Sequence, residues 1–246
     1  MPRVAPVVPA ESDLLCEKCG YTLNGLPESG NCPECGEQIV ASTHEDGRSL
    51  SPYEVAPSAR SYWKTSIAIL LHPKRFYRSV FSRHQTHEAL RFSLINLRIA
   101  ALLFALAAVG HAIFILNTRW SYVTWKHVPA WVLLTAVFAL GAYLLLKSIQ
   151  RLAAWLSAIE AKYWGMRLPL ATVRRAMQFH SINYVIVATA TVAVVWAFRF
   201  LLVLGWNLSY WATSYLYTLS ALVVIGAVFL FQMYWIAMRN MMYANR

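Results

Sequence analysis

Four cysteines are the residues of this chain best suited to chemistry, and they come as two pairs of one design. Cys16-Glu17-Lys18-Cys19 is followed by Gly20, and Cys32-Pro33-Glu34-Cys35 by Gly36. Two residues between cysteines let both sulfurs of a tight turn reach one ion at about 2.3 Å. A glycine after each pair permits positive φ and turns backbone amides toward the thiolates. Two such knuckles close a tetrahedral shell of four sulfurs and leave no position for a substrate. The spacing therefore points to one structural zinc ion held by Cys16, Cys19, Cys32 and Cys35. So short a module has almost no core of its own, so ligation is expected to supply most of its folding free energy.

Other uses of the four thiols stay open. A pair of disulfides needs an oxidising compartment. A thiol–disulfide redox pair normally sits in a βαβ context, which is absent here. An iron site of rubredoxin type uses similar knuckles, but the stretch between them is short for it.

Few other side chains offer chemistry. Nine of the eleven acidic residues lie at or before Glu54, and only Glu88 and Glu160 follow. That leaves no acidic pair for acid–base work, no phosphate-cradling Gly-rich loop and no G-x-S-x-G elbow. His72, His84 and His87 invite a metal reading, but His84-Gln85-Thr86-His87-Glu88 is not the His-Glu-x-x-His of a zinc protease. Arg98, His111 and Arg199 fall within apolar runs and are the polar candidates for a role inside a membrane. Each also lies within reach of a bilayer surface, where snorkelling or a single hydrogen bond accounts for it.

The elements that must position these residues follow from composition. The chain has 246 residues, of which 58% are hydrophobic and 13% charged, against about 45–50% apolar in soluble domains. Residues 1–54 carry 3 basic and 9 acidic side chains, a net of −6, and residues 55–246 carry 19 basic and 2 acidic, a net of +17. The excess of Lys and Arg flanks apolar runs, where it suits anionic lipid better than nucleic acid.

Four runs match the roughly 20 residues that cross a bilayer core of about 30 Å: about 94–116, 129–146, 184–204 and 215–237. Residues 61–93 and 147–183 hold six Lys or Arg each, 117–128 holds two and 205–214 none. Both ends and the central connection are thus expected in the cytoplasm. Trp120, Tyr122, Trp125, Trp131, Trp206, Tyr210 and Trp211 form the expected outer aromatic belt.

The fold class expected is an all-α polytopic membrane domain with a small N-terminal zinc ribbon. Residues 1–10 lack the apolar run of a cleavable leader and are expected as a disordered tail. Residues 11–40 form the ribbon, 41–60 a Ser-, Pro- and charge-rich linker, and 61–246 the membrane domain. Residues 61–82 read as an interfacial helix broken at Pro73, with rings in the acyl boundary; insertion as a fifth span is the alternative. After the second span, Ile149, Leu152, Leu156, Ile159 and Tyr163 recur at helical spacing until Gly165 and Pro169, a cytoplasmic extension with an apolar stripe.

Cys-x-x-Cys-Gly-Tyr-x-Leu-x-Gly-Leu over Cys16 to Leu26, with Cys-Pro-Glu-Cys-Gly at 32–36, resembles the short zinc ribbon that heads many bacterial membrane proteins. The resemblance implies a binding module without catalytic residues, plugged beside the metal by Tyr21, Leu23 and Leu26. Trp63 followed by Leu70-Leu71-His72-Pro73-Lys74-Arg75-Phe76-Tyr77, ahead of apolar helices, is similar to the leading segment of the Yip family of small polytopic membrane proteins. That resemblance implies a membrane-organising role and five spans.

The function expected is non-enzymatic. The partners expected are the lipid bilayer, here the bacterial inner membrane, and a cytoplasmic protein recruited by the ribbon; an oligomer is compatible with the sequence. The alternatives are a small transporter or permeation subunit and a regulator that touches nucleic acid. Six acids against the single Lys18 over residues 11–40 argue against the last.

Overall fold

The computed structural model describes residues 9–10, 12–43, 48–82, 86–119, 128–204 and 208–245. Among these residues the fold is all-helical, without a strand. The helices are α1 (Val40–Thr43), α2 (Pro52–Val55), α3 (Ala59–Leu71), α4 (Pro73–Ser79), α5 (His87–Arg119), α6 (Val128–Tyr163), α7 (Leu170–His180), α8 (Ile182–Val203) and α9 (Leu208–Met241).

Among the described residues, four stretches are long and apolar enough to cross a membrane: His87–Ile115, Val128–Tyr163, Leu170–Leu201 and Thr213–Met241. Each contains one expected run and overshoots it, except that the first and third end one to three residues short of the expected limits. The 36 residues of α6 extend about 54 Å at 1.5 Å per residue. Local chemistry sets the ends of the shorter helices. The Ser58 hydroxyl accepts from Ser61 N at the start of α3. Pro73, which has no amide to donate, opens α4. Gly165, at φ 70°, closes α6: Met166 N donates to Ala161 O at 2.8 Å and Gly165 N to Lys162 O at 3.1 Å, the Schellman pattern.

The chain divides into two compact units. The first comprises Met1–Ser93, Gln150–His180 and Met233–Arg246, and the second Leu94–Ile149 and Ser181–Gln232. In the second, Leu97, Ala100, Leu146, Tyr184 and Ala188 form one buried cluster, and Ala107, Phe114, Val195 and Tyr215 another. A Cβ on Gly110 would lie 2.8 Å from Val195 Cγ1, so α5 and α8 approach as closely as small residues allow. Val132, Leu133, Val137, Leu140, Val223, Val224 and Ile225 stay exposed.

The first unit has an aromatic core in which Phe76 lies 5.1 Å from Phe179 and Tyr53 lies 5.6 Å from Phe92, ring to ring. Its placement differs from the sequence expectation in two respects. Residues 48–54, expected as part of a linker, are partly packed, while 55–60 are exposed. Arg48, Ser51, Tyr53 and Glu54 are buried, and α2 begins in a reciprocal capping box between Ser51 and Glu54. Polar residues suit a solvated segment, but they equally build caps and buried ion pairs. Next, α3 and α4 do break at Pro73, yet Ile69, Phe76 and Tyr77 fill the core rather than an acyl boundary. Trp63, Ile67 and Leu71 are their exposed large apolar residues. The stripe Leu152, Leu156, Ile159 and Tyr163, whose side the sequence left open, faces outward, while Ala154, Ser157 and Ala161 turn inward. Small side chains admit a close neighbour: Ser157 Oγ lies 2.5 Å from Tyr234 Oη.

Candidate metal centre

The two knuckles are built alike. Cys16 N donates to Tyr21 O at 2.8 Å and Gly20 N to Cys16 O at 2.8 Å. Cys32 N donates to Glu37 O at 2.7 Å and Gly36 N to Cys32 O at 2.9 Å. Gly20 and Gly36 take φ of 85° and 71°, which a side chain would oppose. The turns bring all four Sγ atoms within 4.8 Å of one another. Cys16 Sγ lies 3.6 Å from Cys35 Sγ, and Cys19 Sγ 3.6 Å from Cys32 Sγ. Four sulfurs at about 2.3 Å from one ion would stand about 3.8 Å apart, whereas a disulfide needs about 2.05 Å. The cysteines are free and fit a tetrahedral metal ion, whose contribution would be a cross-link.

Backbone amides prepare one of the thiols for this. Burial resists ionisation of Cys32, but the amides of Cys35 and Glu34 and the thiols of Cys19 and Cys35 outweigh it and bring Cys32 to about 7. Burial dominates at Cys16 and Cys19 and pushes both up; a bound cation would reverse that balance. The apolar plug is Leu23 and Ile39, with Leu14 and Leu26 beside them. Tyr21, expected in the plug, is 41% exposed, which leaves its hydroxyl in water.

The first knuckle is docked. Arg48, nearly buried, donates from Nη2 to Glu17 Oε2 at 2.8 Å and from Nη1 to Tyr77 O at 3.1 Å and Val80 O at 2.9 Å. It thus ties the knuckle to α4. Asn245 uses its whole amide. Its Oδ1 accepts from Leu15 N at 3.0 Å and Arg167 Nη2 at 2.8 Å; its Nδ2 donates to Leu15 O at 2.8 Å and Ser42 O at 3.1 Å. Its backbone N donates to Glu17 Oε1 at 3.1 Å. Arg167 Nη1 also donates to the carbonyls of Ala10 and Asp13. The Tyr243 ring lies so close that a Cβ on Gly20 would fall 2.6 Å from it. The second knuckle is open: Glu28, Asn31, Pro33 and Glu34 are exposed. The pair Lys18–Glu37, 2.8 Å apart, joins the knuckles on the wet side.

A second polar hub holds α2. Glu54 Oε1 lies 2.7 Å from Arg175 Nη2 and accepts from Thr86 Oγ1 at 2.5 Å, while its Oε2 accepts from Ser51 N at 2.8 Å. Both side chains of the ion pair are 0% exposed. The sequence had assigned Arg175 to the basic flank of a span and Glu54 to the acidic arm; Ser51-Pro52-Tyr53-Glu54 was nonetheless readable as a capping box.

The intramembrane candidates are dispersed. Arg98 is exposed and Arg199 half-buried. His111 Nδ1 lies 2.6 Å from Tyr215 Oη, with the rings stacked at 5.6 Å. His84, the tail over 1–8 and the belt residues Trp120, Tyr122, Trp125 and Trp206 lie outside the described residues. No other cluster of three metal-ligating side chains occurs among the described residues. No protein-family model, curated protein or solved structure matches this chain, so both resemblances rest on their short motifs.

Proposed function

We propose that this chain is a non-enzymatic membrane anchor whose zinc ribbon recruits or organises a protein partner at the cytoplasmic face of the bacterial inner membrane. The observation that carries this reading is the asymmetry of the ribbon. Its first knuckle is tied to Arg48 and Asn245, while Glu28, Asn31, Pro33 and Glu34 stay open. A surface held in one orientation loses little freedom when a partner lands on it. The closed four-sulfur shell supports a structural ion, and among metals it favours zinc. The distribution of Lys and Arg supports both ends lying in the cytoplasm, and the exposed aliphatic residues of α6 and α9 support a lipid surround. Acidic residues on the open edge favour a basic protein partner over nucleic acid.

A permeation role draws support from one feature, the His111–Tyr215 couple within the apolar second unit. The test is a photo-crosslinking residue at Asn31 or Glu34 of the full chain in its native membrane. Recruitment gives one recurrent protein adduct from these positions and none from Ser42, on the docked side. No adduct, together with solute flux through liposomes that His111→Phe abolishes, would replace recruitment by permeation.

A further inference from the structure

A cleft of about 730 Å³ opens between α2, α3 and α4. Leu50, Pro52, Ala68, Phe76 and Val80 give it an apolar floor. Arg60, Lys64 and Arg75 stand around it, all exposed, with His72 beside them. No acidic side chain lines it. Glu54 is the only carboxylate between residues 48 and 82, and it is engaged by Arg175. No carboxylate among the described residues pairs with the three cations. Next to the cleft, α3 exposes Trp63, Ile67 and Leu71 along one face, at 62%, 51% and 68%.

Three converging cations over an apolar floor match a ligand with an anionic head and a hydrocarbon body. Free phosphate would leave the floor unused. A nucleotide would need a broad ring to stack on, and the lining has no Trp or Tyr, while its one Phe, Phe76, is 5% exposed. The size falls in the usual range for a small-molecule site. The ridge of Trp63, Ile67 and Leu71 has the character of a surface that enters the acyl boundary.

We infer that this cleft binds one anionic phospholipid, with the phosphate on Arg60, Lys64 and Arg75 and the glycerol and upper acyl carbons over Ala68 and Phe76. The inference depends on the chain lying in a bilayer but not on any partner of the ribbon, so either can fail alone.

The test uses the full chain, delipidated in detergent, with phosphatidylglycerol and phosphatidylcholine added and bound lipid counted by native mass spectrometry. One phosphatidylglycerol is retained in preference to phosphatidylcholine. A charge near a lipid head contributes about fivefold, so Arg60→Gln/Lys64→Gln/Arg75→Gln lowers retention about a hundredfold. Ala68→Trp fills the floor, keeps every charge and gives a comparable loss. Lys74→Gln removes an exposed charge outside the cleft and changes retention less than twofold. Equal retention of both lipids, or a loss from Lys74→Gln as large as from Lys64→Gln, would overturn the site. Displacement of the lipid by millimolar inorganic phosphate would overturn the choice of lipid as ligand.

Discussion

Replacing Glu54 with alanine strips three interactions from one buried point: the ion pair to Arg175 at 2.7 Å, the Thr86 hydroxyl at 2.5 Å and the Ser51 amide at 2.8 Å. The guanidinium left behind has no access to water and does not lose its proton in proteins. Removing one partner of a buried pair costs about 3–5 kcal/mol, and an N-terminal cap contributes about 1 kcal/mol. The contacts share a side chain and do not add fully, so about 4 kcal/mol is expected. For a chain of this size 1 kcal/mol shifts the melting temperature by about 2–4 °C, which puts Glu54→Ala about 10 °C below the parent. The assay is the apparent melting temperature of the full chain in one detergent, followed by tryptophan fluorescence. Ser51→Ala removes the cap alone and should cost about 2–4 °C. Glu54→Ala/Arg175→Met takes both charges away and should recover most of the loss, since apolar replacements of a buried pair are close to neutral. A single variant melting within about 2 °C of the parent would refute the buried pair as a keystone of the first unit. A double variant no better than the single one would show that packing, not charge, was lost.

Elemental analysis of the reduced full chain should find one zinc per molecule. A chelator, or Cys32→Ser, should raise hydrogen exchange at residues 14–39 and also at 239–245, because Glu17 and Leu15 hold Asn245; unchanged exchange at 239–245 would refute that coupling. Gly20→Ala should cost about 1–2 kcal/mol for its φ of 85°, and more for displacing Tyr243. Adding Tyr243→Ala should restore only the second part, and a fully additive double variant would deny the contact. A reporter joined after Arg246 should be active on the cytoplasmic side and one near Leu208 on the outer side, an assay that an odd number of spans would fail.

What was legible in the sequence was short-range or strongly periodic. The knuckles depend on spacings of three residues, and the long helices on runs of apolar side chains, so both could be read without knowing what they touch. The dock could not. Arg48 meets Glu17 across 31 residues and Asn245 meets Leu15 across 230, and nothing local in an arginine or an asparagine names its partner. The segment before Ala59 misled because serine, proline and glutamate serve a solvated linker and a capped, buried turn equally well. In the second half of α6 the periodicity found the apolar stripe but could not say whether it lay inside. That was decided by a neighbour close enough to need Ala154, Ser157 and Ala161 rather than leucine.

The distance along the chain between Leu15 and Asn245 sets a clock. Ribosomes add about 5–20 residues per second, so the 230 positions that separate them take about 10–50 s to make. The cysteines can close around a metal near the start of that interval. Of the side chains that seat the first knuckle, Arg48 comes early, but Arg167, Tyr243 and Asn245 are born late, the last two only after α9. Throughout the wait, Glu17 can meet Arg48, 31 residues on, but Leu15 still lacks the amide of Asn245. Seating of the ribbon therefore certifies that the helices between have been completed, a checkpoint written into the order of synthesis.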